Sequence, residues 1–224
     1  AQVDGQMWDL TRPLPGDCTL RILTWKDPEG REIYRHSSTH LMAQAVQALY
    51  PEARLTVGPP LEDKFYYDID MPPVGESDFE KIEAKMRELS EANYPIVREE
   101  ISRDEAHKLF EELGETYKLE ILQDIPADEK VTIYRQGDWF DLCRGPHVPS
   151  TGVLKSFKIL SSSGVYWRAD ASNKQLQRLY GTSYPTQKEL DQHLQRLEEA
   201  KARDHRKLGR ELGLFMISPE VGVG

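Results

Sequence analysis

Residues 131–143, VTIYRQGDWFDLC, carry the pattern that decides the fold. Two short runs rich in β-branched and aromatic residues, Val131 to Arg135 and Trp139 to Cys143, flank Gln136-Gly137-Asp138, and this spacing predicts a β-hairpin. More strand-like runs lie on either side, at Tyr117 to Leu122, Ser156 to Ser161 and Val165 to Arg168, with a second hairpin turn expected at Ser162-Ser163-Gly164. Upstream, helical signals dominate. HSSTHLMAQAVQALYP runs from His36 to Pro51 without glycine and keeps Leu41, Ala45, Ala48 and Leu49 near one stripe. Ser77 with Glu80 and Ser102 with Glu105 form S-x-x-E capping boxes. The first precedes the stripe Phe79, Ile82, Met86, Leu89, and the second precedes Ala106, Leu109, Phe110, Leu113 and a stop at Gly114. A short helix is expected around Lys174 to Tyr180 and a longer one from Gln187 to Leu212. Strands and helices do not alternate one for one, which predicts an α+β fold, an antiparallel sheet with helices on one face.

At the N-terminal side, Gln6 to Leu10 and Cys18 to Leu23 read as a hairpin joined through Pro13, Pro15, Gly16 and Asp17. A lone hairpin is not stable, so it packs on the downstream residues or belongs to a larger unit, separated by a turn at Lys26 to Gly30. The final SPEVGVG reads as a linker cut short. With 224 residues and 38% hydrophobic side chains the chain can bury a sizeable core. Cys18 and Cys143, the only cysteines, exclude a disulfide framework and suggest a reducing, cytoplasmic setting. No apolar run approaches the roughly 20 residues of a membrane span. The net charge of -9 comes entirely from Glu76 to Lys130, which holds 17 acidic and 8 basic residues. Near the end, Lys201, Arg203, Arg206, Lys207 and Arg210 stand against Asp204 alone, as a phosphate-facing surface or a solvated helix face.

His36 and His40, at i and i+4, share one helical face. Asp141, Cys143 and His147 lie in DLCRGPH, where Gly145-Pro146 forces an irregular turn that folds His147 back toward Cys143. Three imidazoles and a thiol make a zinc site. The same groups can activate a water by general-base catalysis, or Cys143 can act as a nucleophile beside His147. Spacing leaves these three open. Lys118, between the apolar Tyr117 and Leu119, points to the opposite face of its strand and reads as a surface lysine. Tyr66 and Tyr67, after Gly58-Pro59-Pro60, read as a stacking platform for a base or as ordinary strand packing.

The segments HSSTHLMAQAV, GPPLEDKFYYDID, YKLEIL, DLCRGPHVPSTG and VYWRADASNKQLQRLYGTSY occur in an order and spacing that resembles the N-terminal half of a bacterial-type threonyl-tRNA synthetase, over essentially the whole chain. The family commonly has glycine where this chain has Ala169. The resemblance implies a partial ubiquitin-like β-grasp module over residues 1–27, an editing domain over 29–186, a linker helix over 187–213 and the start of a truncated class II catalytic domain over 214–224. The editing domain would share its fold with zinc-binding alanyl-tRNA editing proteins. It also implies a fragment that does not charge tRNA by itself. ATP, Mg and Zn would belong to the missing catalytic domain of a homodimeric parent, and the fragment would be a monomer.

Serine lacks one methyl of threonine, which a pocket resolves by only about 1 to 3 kcal/mol, so such enzymes need a second site to hydrolyse seryl-tRNA(Thr) at its 3′ ester. The resemblance places His36, His40, Lys118, Asp141, Cys143 and His147 around that ester, and Gly58 and Tyr67 near the terminal adenosine. Lys118 would position water, stabilise negative charge, or serve as base if desolvated. His36 would orient a water or the ribose hydroxyl, Asp141 would bind the substrate ammonium or hydroxyl, and Cys143 with His40 and His147 would shape the pocket. Cys143, beside His147 and Arg144, is expected to be partly thiolate and oxidisable to a sulfenic acid. The resemblance implies editing without a metal. The alternatives are a free-standing deacylase of seryl- or alanyl-tRNA using zinc at His36, His40, Cys143 and His147, and a tRNA-binding module without activity.

Overall fold

A computed structural model of the chain describes residues 1–203 and 208–209. Helix α1 (Pro28–Leu49) runs through the centre and is buried on nearly every side from Tyr34 to Val46. It begins before the expected His36, because Asp27-Pro28, which read as part of a turn, makes a helix start: the fixed φ of proline and its missing N–H suit the first turn. The run Ser37-Ser38-Thr39 can be buried because each hydroxyl donates to the carbonyl four residues back, Ile33 at 2.8 Å, Tyr34 at 3.0 Å and Arg35 at 3.0 Å.

Strands β4 (Arg54–Leu55), β5 (Phe65–Asp70), β9 (Ser156–Tyr166) and β10 (Gln175–Tyr184) form an antiparallel sheet in the order β4-β5-β10-β9. Helices α1 and α2 (Glu76–Ala92) close over one face with Leu41, Met42, Val46, Phe65, Ile82 and Met86 at the core. A second sheet joins β6 (Ile96–Ile101), β7 (Val131–Gln136) and β8 (Trp139–Leu142). Against it, α3 (Arg103–Glu112) and α4 (Thr116–Asp124) bury Phe110, Leu122 and Ile133. A small N-terminal ribbon contains β1 (Gln2–Val3), β2 (Gln6–Met7) and β3 (Leu20–Arg21) in the order β2-β1-β3. Helix α5 (Gln187–Ala202) follows β10. The expected continuation of the linker helix to residue 213, the segment 214–224 and most of the basic stretch lie outside the described residues. Among the described residues no helix is long and apolar enough to cross a membrane.

The α+β class and the hairpin at residues 136–138 agree with the sequence reading, as does the Ser102–Glu105 capping box, in which Ser102 N–H donates to Glu105 at 2.8 Å. Four local expectations are corrected. Tyr117 to Leu122 is not a strand but the middle of α4; it packs Tyr117 against Trp167 and Leu122 against Phe110, and apolar residues on two sides of so short a helix imitate alternation. Lys174 to Tyr180 is not a helix but lies mostly in β10. Leu176 and Leu179, three apart, point to opposite covered faces of the sheet, one into the Trp167 cluster and one into the main core. Ser162-Ser163-Gly164 is no turn, since β9 runs straight through it paired with Leu179, Arg178 and Gln177. Helix α2 starts at Gly75, whose N–H donates to Asp78 at 3.2 Å, instead of at a Ser77–Glu80 box.

Between β9 and β10 two successive residues with side chains, Arg168 (φ 56) and Ala169 (φ 57), adopt the left-handed conformation. That conformation costs a residue bearing a Cβ about 1–2 kcal/mol, and it is why glycine suits the position of Ala169. Ala169→Gly is therefore expected to raise the unfolding free energy by about 1 kcal/mol after the entropy of the unfolded glycine is counted. Equilibrium denaturation measures this, and a less stable variant would argue against strain at the turn.

Candidate active site

Helix α1 presents a half-buried His36 and, one turn further in, His40, 3% exposed, with ring centroids 5.2 Å apart. The irregular stretch after β8 brings the third imidazole: His147 lies 4.5 Å from both other rings. Its Nδ1 meets Ser37 Oγ at 3.1 Å, and its Nε2 faces Cys143 Sγ at 3.3 Å. Cys143 Sγ also lies 3.4 Å from His36 Nε2 and accepts from Gly145 N–H at 3.3 Å. Residues about a hundred positions apart in sequence thus form one cluster. The Gly145-Pro146 bond is cis, and a side chain at Gly145 would run into the Tyr134 hydroxyl, so the tight turn requires glycine.

Beside this cluster lies a buried ion pair. Lys118, 3% exposed, places Nζ 2.5 Å from Asp141 Oδ1, and Asp141 is 2% exposed. Nζ also donates to the Thr56 carbonyl at 2.8 Å and to the Tyr67 hydroxyl at 2.9 Å; Tyr67 in turn donates to Asp141 Oδ2 at 2.6 Å. Leu142 N–H adds a bond to Asp141 Oδ1 at 2.8 Å. An ammonium has three donors, and all three of these are used. His40 Nδ1 stands 3.9 Å from Asp141 Oδ2 and has no hydrogen-bond partner among the described residues. Lys118 is not the surface lysine that its strand-like neighbours suggested, because the helix turns it inward.

The two groups line one cleft of about 430 Å³, within the usual size of a small-ligand site. Its other wall is the segment Thr56 to Pro60. A Cβ at Gly58 would fall 2.5 Å from Thr39 Cγ2 and from Tyr67 Cδ2, so only glycine lets this segment lie against β5. All eight sequence-predicted residues border this cleft or, in the case of His147, support its floor. Tyr67, 1% exposed, is too deeply buried to be a stacking platform. Sequence reasoning missed Thr56, which contributes a backbone carbonyl and leaves no side-chain signal, and Ser37, whose neighbours in HSSTH drew the attention.

Burial sets the protonation states. It lowers His36 to about 4, offset in part by Asp141, and pushes His147 well below the usual value, helped by the neighbouring imidazoles; His40 is pushed down similarly, with His36 and Lys118 adding to the burial. The Cys143 thiol is pushed up to about 12 by burial, which corrects the expectation of a partial thiolate. Arg144 does not assist it, because its guanidinium turns to Glu129 at 2.8 Å. At neutral pH the cluster is therefore three neutral imidazoles and a thiol.

The donor atoms of His36, His40, Cys143 and His147 all lie within 4.8 Å of one another. Zinc bonds of about 2.0–2.3 Å place tetrahedral ligands on the order of 3.5 Å apart, so the donor set fits zinc in type and spacing. Without a metal, the thiol is already paired with two imidazole nitrogens and the Gly145 amide.

A histidine with lowered pKa binds its proton more readily in the unfolded chain, so stability is present above the unfolded value of 6.5 and is lost as pH falls toward the folded value, about 4 for His36. Denaturation between pH 7 and about 4.5 is expected to show this fall, shallower by about one proton in His36→Asn. An unchanged slope in that variant would contradict a buried neutral His36.

A family model described as the Threonyl and Alanyl tRNA synthetase second additional domain matches residues 131–180, from β7 into β10. The chain is also similar throughout to threonine–tRNA ligases. It is 59% identical to that of Symbiobacterium thermophilum, over 100% of this chain and 34% of the relative. For Hyphomonas neptunium the identity is 56%, over 99% of this chain and 34% of the relative. For Geobacillus kaustophilus it is 54%, over 100% and 34%. The chain spans about a third of the length of these curated relatives. Matched along its full length at this identity, and with the second additional domain falling on the strands that carry Asp141 and lead to Cys143, the chain is similar throughout to the N-terminal third of bacterial threonine–tRNA ligases.

Proposed function

We propose that this chain is an aminoacyl-tRNA deacylase that hydrolyses seryl-tRNA(Thr) at its 3′ ester, with tRNA(Thr) as its partner. The observation that carries the reading is a carboxylate, Asp141, fixed by Lys118 and Tyr67 at the base of a cleft whose rim holds the neutral imidazole of His36. Residues 29–186 would be the editing domain and 1–27 the partial β-grasp module. The ligation for which the relatives are named would belong to the longer protein, with its ATP, Mg and Zn.

In this reading the serine ammonium or hydroxyl binds Asp141, and the terminal adenosine lies along Val57, Gly58 and Pro59 above the buried Tyr67. His36, unprotonated down to about pH 4, orients a water or the ribose hydroxyl and takes its proton during attack on the ester carbon. Lys118 has no donor to spare, so it acts through its positive field on the developing oxyanion and by holding Asp141 in place. His40, backed by His147 with ring centroids 4.5 Å apart, forms a wall that is proposed to reject the extra methyl of threonine.

A second reading follows from the fit of the donor set: zinc held by His36, His40, Cys143 and His147 would supply a Lewis acid and an activated water. We favour the metal-free reading because Asp141, Lys118 and Tyr67 already supply a fixed charge and hydrogen-bond array beside the cluster.

Hydrolysis of seryl- and threonyl-tRNA(Thr) is expected to be selective for the seryl ester and indifferent to chelator. His36→Ala and Lys118→Ala are expected to lower kcat/KM by about 10²-fold or more. Unfolding curves are needed alongside, since removing Lys118 leaves Asp141 as a buried unpaired charge at a cost of about 3–5 kcal/mol. Loss of hydrolysis with chelator would favour zinc, and tRNA binding without cleavage would favour a binding module.

A further inference from the structure

The N-terminal ribbon reaches the candidate site through one side chain. Asp9 follows β2 and is 8% exposed. Its Oδ1 accepts from the backbone N–H of His147 at 3.0 Å, and its Oδ2 accepts from the Tyr134 hydroxyl at 2.8 Å. Tyr134, 1% exposed, lies with its ring 4.4 Å from that of His147 and its hydroxyl beneath Gly145. Among the described residues, both hydrogen bonds from residues 1–20 to residues beyond 27 end on this carboxylate. The turn from Cys143 to His147 has little regular structure of its own: between β8 and Ser150 no residue lies in a helix or strand. A buried carboxylate spanning two donors on either side of such a turn fixes where its thiol and imidazole stand.

We propose that Asp9 is a positioning residue, through which the N-terminal ribbon sets the geometry of Cys143 and His147 and so couples its own placement to the activity of the cleft. The coupling to activity rests on the deacylase reading; the positioning does not.

The test compares Asp9→Ala, which loses both bonds, with Asp9→Asn, whose amide oxygen still accepts from His147 N–H. Two readouts are taken on the same chain: hydrolysis of seryl-tRNA(Thr), and alkylation of Cys143 by iodoacetamide followed by mass spectrometry with Cys18 as internal reference. Asp9→Ala is expected to alkylate at Cys143 at least threefold faster and to lose about tenfold in kcat with KM within twofold of the unaltered chain. Asp9→Asn is expected to restore both to within about twofold. Unchanged alkylation in Asp9→Ala would overturn the proposal, as would equal effects of Ala and Asn that merely track a lower unfolding midpoint. If the unaltered chain cleaves neither ester, the deacylase reading fails while alkylation still decides the role of Asp9.

Discussion

A lysine and an aspartate in contact at 2.5 Å, each about as inaccessible as a core leucine, are the feature on which the rest of the site depends. Taking two charges out of water costs several kcal/mol per ion, and their attraction repays it only when the remaining hydrogen-bonding capacity is filled. Here it is filled by the Thr56 carbonyl, the Tyr67 hydroxyl and the Leu142 amide, which come from the segment before β5, from β5 and from β8. Together with Lys118 on α4, the pair joins both sheets at one point. Its geometry also dictates what the cleft offers a ligand: one carboxylate held still beside an ammonium whose donors are already taken.

Next to this charged pair the fold places a neutral cluster. Burial holds the imidazoles below, and the thiol above, their ordinary ranges. An imidazole that stays unprotonated throughout the neutral range is available as a proton acceptor, and a thiol that stays protonated is a poor nucleophile and a poor redox sensor. In the proposed function this division would separate the roles: Asp141 and Lys118 would provide charge, His36 a base, and Cys143 with His40 and His147 shape. The tight turn through Gly145-Pro146 sets cysteine and histidine side by side against α1.

Much of this was legible in the sequence because it is local. The i, i+4 pair His36 and His40 and the cluster in DLCRGPH announce themselves by spacing, and the glycine-centred hairpin after Gln136 fixes β7 and β8. What was illegible depends on tertiary surroundings. Lys118 looked like a surface residue because YKLEIL alternates, whereas α4 is apolar on two sides for want of length. Leu176 and Leu179 imitated a helix because β10 is covered on both faces. Asp9 carries no signal, since its partners stand more than a hundred residues away. The low reactivity of Cys143 is not visible in its sequence neighbours, because burial raises its thiol and Arg144 turns to Glu129.

In the proposed function the Lys118–Asp141 pair would serve the chemistry of the cleft and not stability. A double-mutant cycle with Lys118→Met and Asp141→Leu, read by both denaturation and hydrolysis of seryl-tRNA(Thr), tests it most directly. Each single change leaves a buried charge unpaired and should destabilise, whereas the double variant should recover most of that stability and remain inactive. A double variant that cleaves the seryl ester at the original rate, or that is no more stable than the weaker single variant, would contradict the account.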